Sequence, residues 1–177
     1  MRKIFLLTLL LVLFFTLGGV ASATVINFDD LPDGLVPDGY QNVTWYGEWT
    51  NYTEPQDPYN PHSPPGRVYD GLTDAKFTFN SPVVFNGAWF AGYDFAPVQF
   101  QGYLNGVLEF TSGTLAPSNV PTFLDSGYAG LVNEIHVLSP DPDFFVMDDV
   151  TFTPEPGSLV LMGTGLAGLA GYLRRKL

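Results

Sequence analysis

Between residues 24 and 153, apolar and polar positions alternate in short runs bounded by Gly, Pro, Asn and Asp, and the 3.6-residue period of an amphipathic helix is absent. That pattern predicts strands. Residues 24–28 (TVINF) form the first. Residues 42–49 (NVTWYGEW) place Val43, Trp45 and Gly47 on one face and Thr44, Tyr46 and Glu48 on the other. Residues 76–79 (KFTF) and 83–93 (VVFNGAWFAGY) are two further strands, with Gly87 marking a bulge or bend in the second. Residues 97–113 read as a hairpin about Asn105-Gly106, because both central turn residues need positive φ. Residues 130–139 put Leu131, Asn133, Ile135 and Val137 on one face, and residues 144–153 close the series. No helical stretch separates these strands. The fold class is therefore all-β, a two-sheet antiparallel sandwich of jelly-roll type. Residues 54–67 interrupt the pattern with five prolines, which block both ladder and helix. They predict a long, exposed, partly extended loop, either plain surface or a lid over a ligand.

The two ends depart from this alternation. Arg2 and Lys3 precede an apolar run from Ile4 to Leu17, and Ala21-Ser22-Ala23 supplies a small-residue cleavage site. Residues 1–23 read as a helical signal peptide, with Thr24 the first mature residue. At the other end, residues 158–173 carry no charge. As a helix they span about 24 Å, slightly short of a hydrocarbon core of about 30 Å. This predicts a transmembrane helix, followed by Arg174, Arg175 and Lys176 as a cytoplasmic stop. The chain divides into a signal peptide (1–23), a β-sandwich (24–153) and a C-terminal segment (154–177).

Pro154-Glu155-Pro156, the apolar helix and the basic terminus together resemble the PEP-CTERM sorting signal of bacteria. The resemblance implies that an integral membrane protease, exosortase, recognises Pro154, Glu155 and Pro156. It also implies that the mature protein is exported to the cell envelope, cell surface or extracellular matrix. Residues 26–45, 85–93, 98–106 and 144–152 more loosely resemble PEP-CTERM substrates with a galactose-binding-like β-sandwich.

Charge sharpens the picture. Of the acidic side chains, 17 lie in residues 24–153 against only Arg67 and Lys76, a net charge of −15. Such a surface repels phosphate backbones, which excludes nucleic acid as a partner. It suits hard cations. The sequence has no cysteine, so disulfides and thiolate chemistry are excluded.

The candidate chemistry follows from acids and aromatics. First and last strands of a jelly roll lie side by side, which would bring Asp29, Asp30 and Asp33 near Asp148 and Asp149. Clustered carboxylates need a positive partner, and calcium takes six to eight oxygens. A structural Ca²⁺ tying the termini together is one expectation, and sandwiches of the resembled kind often hold one near a closing "DDV" strand. The alternative is that these residues face solvent or bond turn backbone. Adjacent strand residues point to opposite faces, so at most one of Asp148 and Asp149 should join a shared site. Trp45 and Trp89 sit at alternating strand positions and read as core. Trp49, Tyr52 and Tyr59, beside the Pro-rich loop, are candidates to stack on sugar rings. His62 and His136 stand in no metal or nucleophile motif, and both read as surface residues. The reading is a non-catalytic module binding envelope or exopolysaccharide glycans. The alternatives are a purely structural matrix component and, last, a glycan hydrolase.

Overall fold

The computed structural model describes residues 22–155 together with Gly165 and Arg174. The chain divides into a body, Ala23–Pro154, and the two end segments, Met1–Ser22 and Glu155–Leu177. The predicted signal helix, the transmembrane helix and most of the basic stop lie outside the described residues. Among the described residues no helix is long and apolar enough to cross a membrane.

The body contains eleven strands: β1 (Thr24–Ile26), β2 (Gly34–Leu35), β3 (Val43–Tyr46), β4 (Thr50–Tyr52), β5 (Arg67–Tyr69), β6 (Asp74–Gly92), β7 (Val98–Leu104), β8 (Val107–Leu115), β9 (Thr122–Asp125), β10 (Val132–Leu138) and β11 (Phe145–Pro154). All pairings among them are antiparallel. The main path runs β2-β4-β5-β11-β6-β10-β7-β8, with β1 on β11 and both β3 and β9 on β6.

The all-β sandwich is as the alternation predicts, but its two layers are joined by one strand. Residues 76–79 and 83–93, expected as separate strands, are continuous within the 19-residue β6. Its first part pairs with β3 and most of β10, its second part with β11 and β9, and Val83 at the junction pairs with both β10 and β11. Pro82 sits between the two parts. Gly87 marks the predicted irregularity: its φ is +146°, and the β11 register shifts opposite it. A Cβ there would lie 2.1 Å from the carbonyl oxygen of Leu124 on β9. Only glycine lets β9 and β11 both approach this point.

Inward-facing aromatics fill the space between the layers. Phe77 lies 5.0 Å from Trp45 and 6.1 Å from Phe85, and Phe85 meets Phe100 edge-on at 4.9 Å. Phe79 and Phe152 meet at 4.7 Å across the layers. The alternation of β3 holds, with Val43 and Trp45 buried and Tyr46 exposed. The hairpin at Asn105-Gly106 also forms, with φ of 52° and 81°. In β10 the expected face is altered by a register shift between Val132 and Glu134. Val132 is buried in place of Leu131 and Asn133, and the Asn133 carboxamide instead accepts the amide of Asn105 at the hairpin turn, at 2.9 Å.

Replacing Gly87 with alanine should destabilise the body by about 2–4 kcal/mol, because the added methyl group meets backbone that cannot retreat without breaking a ladder. Thermal denaturation of the variant checks this, and a loss below about 0.5 kcal/mol would contradict the account of β6.

Candidate functional site

β1 and β11 pair as the jelly-roll argument expects, with Thr24 opposite Phe152 and Ile26 opposite Val150. This brings Asp29 toward Asp148 and Asp149. The rule that adjacent residues face opposite ways fails here. Asp149 takes a left-handed conformation, φ 47°, inside a β-bulge that shifts the β11 register between Asp148 and Thr151. A bulge re-aims side chains at the cost of a ladder position. Both carboxylates therefore reach the same residue: Ser63 Oγ donates to Asp149 Oδ1 at 2.9 Å and lies 3.4 Å from Asp148 Oδ2.

Those two acids hold the Pro-rich loop. The Ser63 amide donates to Asp148 Oδ2 at 2.8 Å, and His62 Nδ1 lies 2.5 Å from Asp149 Oδ2. The His62 ring stacks on Trp89, centroids 3.5 Å apart and planes 10° from parallel. The Gly66 amide donates to Asp29 Oδ1 at 2.9 Å. A Cβ on Gly66 would lie 2.5 Å from the carbonyl carbon of Phe28, so glycine permits this approach. At the loop's start, Asp33 Oδ1 accepts the amide and hydroxyl of Thr53, and the buried Arg67 guanidinium donates to the carbonyls of Tyr52 and Glu54. In its middle the Tyr59 hydroxyl donates to the Asp143 carbonyl at 3.3 Å, and Asn60 donates to the Asn119 carbonyl. The segment is the irregular, largely exposed loop expected, and it is anchored to the body at several points along its length.

Asp148 is only 2% exposed. Burial, reinforced by the charges of Asp149 and Asp29, pushes its carboxyl up from 3.8 to about 7 against the opposing effect of its backbone donors. Of the five acids expected to share a cation, the structure gathers Asp29, Asp148 and Asp149. It sends Asp30 to the Tyr40 hydroxyl and Asp33 to Thr53. Among the described residues no three acidic or imidazole groups are grouped so as to hold a metal ion. The oxygens of the gathered three accept protein donors instead.

The docked loop forms one wall of a cleft of about 390 Å³. Gln56 and Tyr59 come from the loop, Tyr52, Arg67 and Tyr69 from β4 and β5, Asp143 from the short 3-10 turn Pro142–Phe144, and Phe145 and Val146 from the start of β11. Tyr52 and Tyr69 lie 5.5 Å apart with planes inclined by 33°. Burial raises the Tyr59 hydroxyl pKa, and a hydrogen bond with Tyr52, then burial, raises that of Tyr69. Beyond the cleft mouth, Tyr59 contacts Tyr93 at 5.8 Å, and Tyr93 stacks on Phe95 at 5.2 Å. Phe144 meets Phe95 at 5.0 Å. Phe95 is 51% exposed, and Tyr93 and Phe144 are also exposed.

Two of the three expected sugar-stacking residues, Tyr52 and Tyr59, line this cleft. Trp49 does not: it is 2% exposed, packs edge-on against Trp45 at 5.6 Å and donates its indole N–H to the Lys76 carbonyl. β4 begins one residue later, and the chain turns Trp49 inward beneath it. Trp89, expected in the core, lies half-buried on the outer side under His62. The sequence reading passed over Tyr93, Phe95 and Phe144; the available signal was aromatic residues set in turns, YDF after β6 and DFF before β11. His136 is not an ordinary surface residue: its ring nitrogens lie 2.6 Å from Asp74 and 2.7 Å from Glu134. In the loop, the Ser63 hydroxyl bonds to Asp149 rather than to His62, so the Ser-His-Asp trio has no nucleophile–base contact.

At the far end of β11, Thr153 and Pro154 pair with Val84 and Val83, and Glu155 is exposed just beyond. Residues 152–176 match the PEP-CTERM protein-sorting motif. A motif of this kind marks an exported, envelope-directed protein. No curated protein matches the chain in sequence. Among solved structures, the chain is similar to variants of the family 29 carbohydrate-binding module CBM29-2. One has 16% identity and a TM-score of 0.46, covering 76% of this chain and 92% of the other. A second, complexed with mannohexaose, has 14% identity, a TM-score of 0.46 and coverage of 76% and 93%. A third, complexed with cellulohexaose, has 15% identity, a TM-score of 0.45 and the same coverage.

The Asp148 carboxyl is raised on folding, so the folded state holds its proton more tightly than the unfolded chain. Its contribution to stability is complete below pH about 4 and is lost as pH climbs to about 7. Asp148→Asn should flatten that part of the stability–pH curve. Chemical denaturation of both proteins at pH 4, 5.5 and 7 checks this, and parallel curves would refute it.

Proposed function

We propose that the body is a non-catalytic, exosortase-processed envelope module that binds an uncharged glycan in the cleft of Tyr52, Tyr59 and Tyr69. The observation that carries this reading is the aromatic surface at the head of β11. Three tyrosines line a cleft with convergent polar groups, and Tyr93, Phe95 and Phe144 extend it as exposed rings. Sugar rings offer an apolar C–H face to such rings and a hydroxyl edge to polar groups. Gln56, Arg67 and Asp143 bring amide, guanidinium and carboxylate chemistry to the cleft lining. The ligand class follows from charge. A body with a net charge of −15 repels polyanionic polysaccharides, which leaves neutral, hydroxyl-rich chains.

Glycan-array binding and calorimetry on the body should show a neutral oligosaccharide whose affinity falls at least tenfold in Tyr59→Ala and in Tyr69→Ala, on the order of 1.4 kcal/mol each. Trp49→Phe serves as the contrast: it should lower the melting temperature and leave affinity within about twofold, because Trp49 is core. Binding that survives both tyrosine changes would overturn the cleft assignment. A blank across neutral glycans, with self-association of the body, would favour a purely structural matrix role.

A structural Ca²⁺ at Asp29, Asp148 and Asp149 is a separate proposal. Its support is the concentration of carboxylate with few nearby cations, and it requires these oxygens to exchange their protein donors for the ion. A chelator should then lower the melting temperature and added Ca²⁺ restore it; an unchanged melt removes the metal.

A further inference from the structure

Outside the cleft, three large aromatic rings stand exposed beside one another. Tyr93 and Phe95 lie in the turn that follows β6, and Phe144 ends the 3-10 turn Pro142–Phe144 that precedes β11. Exposed apolar surface gathered in one place marks a surface that a partner covers. The two turns are fixed to each other. The Tyr93 amide donates to the Phe144 carbonyl at 2.9 Å. The Ala96 amide closes the first turn on the Tyr93 carbonyl at 3.1 Å, and the Phe144 amide closes the second on the Asp141 carbonyl at 3.2 Å. The rings are therefore positioned before any ligand arrives, which lowers the ordering cost of binding.

These rings are continuous with the cleft. Tyr59 belongs to both: it lines the cleft, its ring meets Tyr93 at 5.8 Å, and its hydroxyl donates to the Asp143 carbonyl. Asp143 lines the cleft, and the next residue, Phe144, packs edge-on against Phe95. A chain lying in the cleft and leaving past Tyr59 passes over the outer rings.

The orientation of the rings decides what they accept. Tyr93 and Phe95 are inclined by 25°, but Phe144 stands at 77° to Tyr93 and 61° to Phe95, and Tyr59 stands at 77° to Tyr93. A packed, insoluble polysaccharide face needs rings in one plane, and no plane contains these. A single chain turns one sugar face after another toward rings of different tilt. Charge removes another occupant. Asp94, Asp141 and Asp143 lie in or beside the same two turns, so anionic lipid headgroups are repelled and the rings make a poor membrane anchor.

We propose that Tyr93, Phe95 and Phe144 form a second subsite, which takes the sugars of a single soluble chain lying beyond those held in the cleft. The inference rests on the reading of the cleft as a glycan site. It makes the ligand a linear oligomer that spans both places. The cleft holds a short stretch of it, and the outer rings add affinity only once the chain extends past Tyr59.

Calorimetry on the intact protein, with neutral gluco-, manno- and galacto-oligosaccharides graded from disaccharide to hexasaccharide, tests the subsite. Affinity should climb about tenfold between the shortest and longest members of the series that binds. Phe95→Ala and Phe144→Ala should each cost about fivefold at the hexasaccharide and less than about twofold at the disaccharide. Tyr69→Ala should weaken every length. Phe95 and Phe144 are exposed, so neither change removes core packing. Affinity that stays flat with length, or ring variants that weaken all lengths alike, overturns the second subsite and leaves the cleft standing. No binding at any length removes the cleft reading and the subsite with it. Tighter binding to insoluble polysaccharide than to the hexasaccharide contradicts the single-chain ligand. Loss of self-association in Phe95→Ala, with sugar binding unchanged at every length, would assign the rings to a protein contact instead.

Discussion

The docking of the Pro-rich loop on Asp148 and Asp149 is the contact on which the body's candidate site depends. The body has almost no cations, and burying two neighbouring carboxylates is costly unless donors surround them. The chain supplies those donors from a single segment: the Ser63 amide and hydroxyl, His62, and, for Asp29, the Gly66 amide. Backbone N–H groups suit this task because they are fixed by the fold and cannot be lost by side-chain motion. The arrangement exists only because Asp149 adopts a left-handed conformation at the bulge, which turns both acids to one side. A regular strand would have left one of them facing the other way.

That dock converts a proline-rich loop into part of a site. Five prolines keep the segment out of sheet and helix, and they also lower the entropy lost when it is fixed. Once the loop is held at Thr53, Tyr59, His62 and Gly66, Gln56 and Tyr59 stand opposite Tyr52 and Tyr69, and a cleft results. The sandwich beneath provides rigidity through its aromatic core. Function on this scaffold is carried by a loop and by turn residues, while the strands supply the platform.

Much of this was legible in the sequence, and the parts that were not share a cause. Period-two alternation gave β3, and Asn105-Gly106 gave the hairpin, because these are local rules. The adjacency of β1 and β11 followed from topology. What failed were features set by tertiary approach. Period two broke at Asp149 and at Val132–Asn133, where the chain bulges. Trp49, next to a loop, read as exposed, yet its indole is drawn into the core against Trp45 and Phe77. Trp89 read as core, yet the docked His62 covers it from outside. Of the cleft, only Tyr52 and Tyr59 could be picked out, by their place beside the Pro-rich loop; the rest could not, since the cleft joins residues from the loop, from β4 and β5, and from the turn and first residues of β11.

Hydrogen–deuterium exchange across residues 54–66 of the intact protein addresses the dock most directly. If the loop is held as described, the amides of Ser63 and Gly66 exchange slowly, with protection approaching that of neighbouring β11 amides, and Asp148→Ala releases Ser63 before it disturbs the strands. Exchange of both amides at the rate of an unstructured peptide in the unaltered protein would contradict the account.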